Sequence, residues 1–274
     1  MMTDFSDYLD AKRQEQLQAQ KVHNAEEALA FVNRTGFCLF KKHSYIALPA
    51  LSDISEGQPW LWKDQLPLEK RAYYGRRFRR MAGFVSLEML PALYALSPTA
   101  EFQGDRFELY RMGYISERAN QLASVVNARG PLTTRELRQA SGLAGEAGWP
   151  RFSRSIIEME MKFLVTKVGV KKTNQANFIY VWDSFSRYWQ DIFDLRDVLS
   201  HEEAGRVVIL QYTKTMIAVT IREVAVTLNL SQVFVKYIVE QLASEHKLEA
   251  LGVGKKVYYM LPDMYDDLKH FGMR

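Results

Sequence analysis

The sequence has a single cysteine, Cys38, among 274 residues. A lone thiol excludes an internal disulfide and a cysteine-built zinc site. The five histidines, His23, His43, His201, His246 and His270, are scattered without the spacing of metal ligands. No run of eighteen or more apolar residues occurs, so no membrane span is expected. The leading residues, Met1 to Gln20, are polar and charged and lack the apolar stretch of a secretory signal, which makes the cytoplasm the expected compartment. Phosphate-binding loops, nucleophile elbows and dinucleotide fingerprints are also missing. These absences argue against nucleotide-driven or metal-dependent chemistry, and no cofactor is expected.

What is present is a chain with 47% hydrophobic residues, enough to bury ordinary cores, and 36 Lys and Arg against 32 Asp and Glu. The net charge of +4 is small, but its distribution is uneven. The stretch Arg71 to Arg80, RAYYGRRFRR, holds five arginines and no acid, whereas Asp183 to Asp197 and Pro262 to Asp267 are acid-rich. A concentrated cationic surface attracts a polyanion and releases its condensed counterions. Arg76, Arg77, Arg79 and Arg80 are therefore expected to grip phosphates. Tyr73 and Tyr74, interleaved with them, are candidates for stacking on a base, as are Trp60, Trp62 and Phe78.

An internal repeat organises the C-terminal two-thirds. Leu132-Thr133-Thr134-Arg135-Glu136-Leu137 and Val219-Thr220-Ile221-Arg222-Glu223-Val224 share the pattern apolar, Thr, any, Arg, Glu, apolar. A threonine followed three residues later by glutamate is the capping-box signature of a helix start. Gly142 and Asn229, which tolerate a left-handed cap, close the two short helices. Phe152, Ile156, Met159 and Phe163 in one copy, and Val235, Ile238, Val239 and Leu242 in the other, then recur at helical spacing. Strand, polar turn and strand follow in both: Val165 to Val170 and Phe178 to Val181, then Leu248 to Val253 and Val257 to Leu261. With one amphipathic helix upstream of each, at Ser116 to Ala128 and about Glu203 to Thr213, the order is helix, helix, turn, helix, hairpin.

The expected fold is thus α+β and predominantly helical, with tandem winged-helix modules at residues 113–190 and 198–274 behind an N-terminal α+β region at residues 1–112. A helix about 10 to 12 Å across fits a major groove about 12 Å wide. Arg151, Ser153, Arg154 and Ser155 stand at the start of the helix that would enter it, after Trp149-Pro150. The first wing adds Lys167, Lys171, Lys172, Asn174 and Gln175, and the second adds Lys255 and Lys256. The third helix of the second module offers Ser231, Gln232 and Lys236 among Val233, Phe234 and Tyr237, a surface that suits protein contact as well as nucleic acid. Double-stranded DNA is the expected partner and a monomer the expected state.

Asn24 caps a helix with Glu26 and Glu27 in its first turn, which Gly36 ends, and Gly36 to Phe40 reads as a short buried strand. The strings GFCLF at 36–40, WLWKDQLP at 60–67, YYG at 73–75, VSLEMLPALYALS at 85–97 and GPLTTRELRQASGLAG at 130–145 resemble those of a bacterial family related to AlkZ. The resemblance covers residues 24–183. It implies a fold distantly similar to the AlkZ and YcaQ glycosylases, tandem winged-helix enzymes that excise alkylated bases and unhook interstrand crosslinks without metal or organic cofactor.

Those glycosylases use a Gln, an apolar residue, then Gln or Asp, in the N-terminal winged-helix region. Here Gln16-Leu17-Gln18 and Gln18-Ala19-Gln20 match in letters but lie in the polar leading segment, where a solvated helix is the simpler reading. The strand after Gly36 contains no such pair, and Gln211-Tyr212-Thr213 lacks the third member. Glycosidic cleavage needs a polar group that positions water. Asp64 and Glu88 are candidates for it, with Asp183 a third; a turn or cap is the ordinary role for Asp64, and an arginine-paired surface position the ordinary role for Glu88. The expected function is DNA binding in the recognition or repair of damaged DNA. The alternatives are an active AlkZ-like glycosylase and a winged-helix regulator or protein scaffold.

Overall fold

The computed structural model describes residues 5–172, 178–190 and 199–271, without the side chains of Lys172 and His270. Asn174, Gln175 and the side chain of Lys172 therefore lie outside the described residues. The fold is α+β and predominantly helical, with three small antiparallel sheets.

The repeat detected in the sequence is present, with helices where the capping boxes place them. In the middle unit, α8 (Glu117–Arg129) leads to β4 (Leu132–Thr133), α9 (Thr134–Ala140), α10 (Trp149–Met161), β5 (Val165–Lys172) and β6 (Phe178–Ser184). Thr133 accepts from the Glu136 backbone N–H at 3.2 Å, while the Glu136 carboxylate accepts from the Thr133 N–H at 2.7 Å. The third unit repeats this with α12 (His201–Met216), β7 (Ala218–Val219), α13 (Ile221–Leu228), α14 (Gln232–Ser244), β8 (Glu249–Val253) and β9 (Lys256–Met260). Thr220 and Glu223 form the second capping box, and Asn229 closes α13 at φ 57°, in the left-handed conformation expected of it.

The N-terminal region carries the same order. Here α2 (Ala25–Thr35) is followed by β1 (Phe37–Leu39), α3 (Leu51–Ile54), α4 (Pro59–Leu68), β2 (Ala72–Phe78) and β3 (Met81–Ser86). The three sheets have the orders β1-β3-β2, β4-β6-β5 and β7-β9-β8, one topology used three times. The sequence repeat shows only two copies because α3 is four residues long and begins at Ala50, whose side chain cannot cap, so the Thr-x-x-Glu signature is missing.

Packing orders the units. The middle one has its own core, in which Leu122, Val126, Leu137, Phe152, Met159 and Trp182 meet. The first and third share a core, where Phe37 stacks on Tyr212 at 6.3 Å and the Tyr212 hydroxyl donates to the Ala47 carbonyl at 2.8 Å. In the leading segment Gln16 and Gln18 stand exposed on a helix, as expected, but the start of that helix is anchored to the core. This helix, α1 (Phe5–Gln18), buries Phe5 and Leu9 against Tyr258 and Met260, and Arg13 donates to the carbonyls of Met216 and Ala218 at 3.0 and 2.7 Å. That arginine clamp satisfies the carbonyls at the end of α12, where cationic side chains are favoured. Among the described residues no helix is long and apolar enough to cross a membrane.

Candidate nucleic-acid interface

Arg151 and Arg154 stand exposed on the first turns of α10, as expected for the helix that follows the turn. Folding brings to them Arg80 from the β2–β3 turn, one of the expected phosphate grips, and two cations that were not singled out, Arg118 from α8 and Lys162 just past α10. Together they line a shallow groove of about 550 Å³. Among the described residues none of these five is ion-paired. The one carboxylate in the groove, Glu158, is engaged by the Ser116 N–H at 2.6 Å and the Ser116 hydroxyl at 2.7 Å. Burial, and then the charge of Arg77, holds the Lys162 ammonium below its ordinary value. An anion arriving there relieves uncompensated positive charge.

The arginine-rich stretch behaves differently from the expectation of four phosphate grips. Arg71 is a bidentate partner of Glu26, with contacts of 2.6 and 2.5 Å. Arg77 sits at an irregularity in the β2–β3 register, 6% exposed, with its guanidinium 5.3 Å from the centre of the Phe163 ring. Burial lowers its value to about 10, and it cannot reach a surface phosphate in this position. Arg76 points to Glu160 at 3.8 Å and donates to the Arg80 carbonyl at 3.2 Å. Only Arg79 and Arg80 are fully exposed.

Those two form the entire loop of the hairpin, since Phe78 pairs with Met81, and both have positive φ, 46° and 72°. A two-residue hairpin loop of this kind favours Asn-Gly, because other side chains clash in the left-handed region at a cost of about 1 kcal/mol each. Replacing Arg79 and Arg80 by Asn and Gly is therefore expected to raise stability by about 1 to 2 kcal/mol in denaturant unfolding. The same variant should bind DNA less tightly. Unchanged stability would remove the strain argument.

A second concavity, about 440 Å³, lies between the first and middle units. Trp60 and Tyr74 come from one side, and Trp149, Tyr180, Trp182, Lys167 and Glu160 from the other. Trp60 and Trp149 occupy equivalent places, each beside a proline at the start of the third helix of its unit, and are 55% and 50% exposed. Behind them, Lys63 donates to Asp64 at 2.6 Å and to the Tyr180 hydroxyl at 2.9 Å, and Lys167 donates to Glu160 at 2.7 Å. Burial, then the charge of Asp64, pushes the Tyr180 phenol up to about 12, so it keeps its proton at neutral pH.

Of the stacking candidates, Tyr74 lines this cleft, whereas Tyr73 does not. Tyr73 is 1% exposed and packs against Phe163, Phe185 and Trp189; Phe78 and Trp62 are core as well. Asp64 is not a turn residue or a cap but lies inside α4, its carboxylate held by Lys63. Glu88 is exposed in the turn before α5 (Leu90–Ala95), outside the lining of either concavity, and among the described residues it pairs with no arginine. Asp183 is bound by Arg187 and by the Ser184 N–H. Lys171 is exposed on the middle hairpin; Lys255 and Lys256 stand at the tip of the third, outside the groove lining. Lys167, expected on the first wing, is instead buried against Glu160, and Lys63 and Tyr180 carried no signal as cleft residues, because they converge from segments 117 residues apart.

Fold and surface together define a class: a chain of three topologically equal helix-and-hairpin units whose middle member carries an unpaired cationic groove. The chain belongs to the AlkZ-related family, whose model matches residues 22–228. The fold is similar to that of the Streptomyces sahachiroi DNA glycosylase AlkZ, with a TM-score of 0.59 over 98% of this chain and 72% of that one, at 13% identity. No curated protein sequence matches the chain.

Proposed function

We propose that this chain binds double-stranded DNA and acts in the recognition or repair of damaged DNA, with the three units serving as winged-helix modules and the middle one as the principal contact. The observation that carries this reading is the groove of Arg80, Arg118, Arg151, Arg154 and Lys162, five cations gathered along one exposed helix against a single carboxylate, Glu158, which is held by Ser116. Phosphates supply that charge and release counterions on doing so. Arg151 and Arg154 then lie where side chains reach base edges. The similarity to a glycosylase supports a fold suited to this task.

The third unit is assigned a lesser part. Two of its cations are already engaged, Lys236 with Glu240 at 3.6 Å and Lys247 with Glu245 at 2.9 Å; Lys255 and Lys256 stand apart at the hairpin tip, and Val233 and Tyr237 are exposed on α14. That surface favours contact with protein over contact with phosphate.

Glycosylase activity is the rival reading, and it meets a physical obstacle. Strand β1, in the N-terminal region where the resemblance calls for a Gln pair, has none and consists of Phe37, Cys38 and Leu39, all fully buried. Burial pushes the Cys38 thiol up to about 12, which leaves it protonated and unreactive. Gln16 borders a separate concavity against α2, among residues of α1 and the 42–49 segment. The test is a fluorescence-anisotropy titration with a duplex of about 20 base pairs at rising salt. A steep fall in affinity between roughly 50 and 200 mM is expected, and a salt-indifferent curve would overturn the assignment.

A further inference from the structure

The cleft between the first and middle units has an unusual charge arrangement. Four cations border it, Lys41, Lys63, Arg76 and Lys167, against two carboxylates, Glu160 and the adjoining Asp64. Both carboxylates are already engaged, Asp64 by Lys63 and Glu160 by Lys167. Two positive charges are left over.

The ring faces are engaged too. The Lys41 ammonium lies 4.9 Å from the centre of the Trp60 ring, and Lys63 lies 5.6 Å from it and 5.3 Å from that of Tyr180. Lys167 is 5.1 Å from Tyr74, 5.1 Å from Tyr180 and 5.2 Å from Trp182, and the Arg138 guanidinium is 5.2 Å from Trp149. An aromatic cage binds a cation by offering it empty negative ring faces. Here the protein's own cations hold those faces. A ring with a cation on one side repels a second cation on the other and still stacks well on a neutral, electron-rich ring. Trp60 and Trp149, each about half exposed, keep open surface for such a partner. A space of about 440 Å³ is within the range of small-ligand sites, about 300 to 1,000 Å³.

We propose that this cleft takes a single unpaired, uncharged nucleobase with its phosphate, and that it disfavours a base carrying positive charge. The neutral ring stacks on the open tryptophan surface, and the phosphate meets the surplus cations. This rests on the reading of the neighbouring groove as a DNA contact, because the groove holds the duplex from which the nucleotide is extruded. A cationic alkylated base meets engaged ring faces and a net positive wall.

The test compares four probes by anisotropy at one salt concentration: a paired duplex, the same duplex with one unpaired 2-aminopurine, one with an unpaired N7-methylguanine, and free 2-aminopurine deoxynucleotide. Expected is at least tenfold tighter binding of the unpaired 2-aminopurine duplex than of the paired one, with quenched 2-aminopurine emission. The N7-methylguanine duplex should gain less than threefold. Trp60→Ala should abolish the preference and the quenching while leaving paired-duplex affinity within twofold. Lys41→Ala, at an exposed position and removing the nearer of the two ammoniums over Trp60, should narrow the discrimination against N7-methylguanine.

Equal binding of paired and unpaired duplexes overturns the proposal and leaves the groove reading intact. Preference for N7-methylguanine over 2-aminopurine overturns the charge argument. Free nucleotide bound as tightly as the unpaired duplex overturns extrusion from DNA. Failure of the paired duplex to bind at all removes the groove reading and this proposal together.

Discussion

Replacing Arg118, Arg151 and Arg154 together by alanine is expected to weaken duplex binding by roughly a hundredfold near physiological salt, at about 1 kcal/mol per exposed phosphate contact. The sharper expectation concerns the salt dependence. Each phosphate contact contributes about 0.9 to the slope of log affinity against log salt, so losing three should flatten the slope by roughly 2.7. Stability should change little, since all three side chains are exposed and none is ion-paired among the described residues. The same substitutions in the third unit, at Lys236, Lys255 and Lys256, should alter the slope far less. Lys236 already faces Glu240, and the other two stand outside the groove. An equal effect from both sets would mean that net charge, not the groove, governs binding, and the assignment of the middle unit would fall.

The second large effect lies beneath the groove. Glu160 is 2% exposed on α10 and receives Lys167 from β5 at 2.7 Å, with Arg76 of β2 at 3.8 Å. The carboxylate therefore ties α10 to its own hairpin and to the first unit. Removing one member of a buried pair leaves the other charge desolvated and uncompensated, at a cost of about 3 to 5 kcal/mol. Glu160→Ala should lose that much stability in denaturant unfolding, with a drop in melting temperature of roughly 10 °C. Glu160→Gln retains the shape and one acceptor and should lose less. A loss below about 1 kcal/mol for the alanine variant would show that water reaches Lys167 freely, contrary to the packing described.

The two effects separate cleanly because one concerns free charge and the other bound charge. That distinction also decides how the arginine-rich stretch is read. Written as a string, RAYYGRRFRR offers five equivalent cations. In the fold, Arg71 is neutralised by Glu26, Arg77 is buried over Phe163, Arg76 faces Glu160, and only Arg79 and Arg80 are free. The tyrosines divide in the same way: Tyr73 serves the core and Tyr74 the cleft.

The middle and third units were legible because their signals are local. A capping box needs only a threonine and a glutamate three residues apart, and a left-handed helix end needs only Gly142 or Asn229. The apolar spacing of Phe152, Ile156 and Met159 fixes which face of α10 is buried, and so leaves Arg151 and Arg154 outside. The first unit escaped notice for the complementary reason: α3 is one turn long and begins without a side-chain cap, so no short-range pattern marks it.

The sequence by itself thus determined the helix starts, the hairpins, the exposed end of α10 and the family, each a consequence of neighbouring residues or of recurring strings. Only the tertiary structure decided which cations are free, which rings face a cleft, and that the topology occurs three times. The physical reason is that pairing and desolvation are made by distant partners. Lys63 meets Tyr180 across 117 residues, and Arg71 meets Glu26 across 45. The charge a surface presents is what remains after such long-range neutralisation, and no local pattern encodes the remainder.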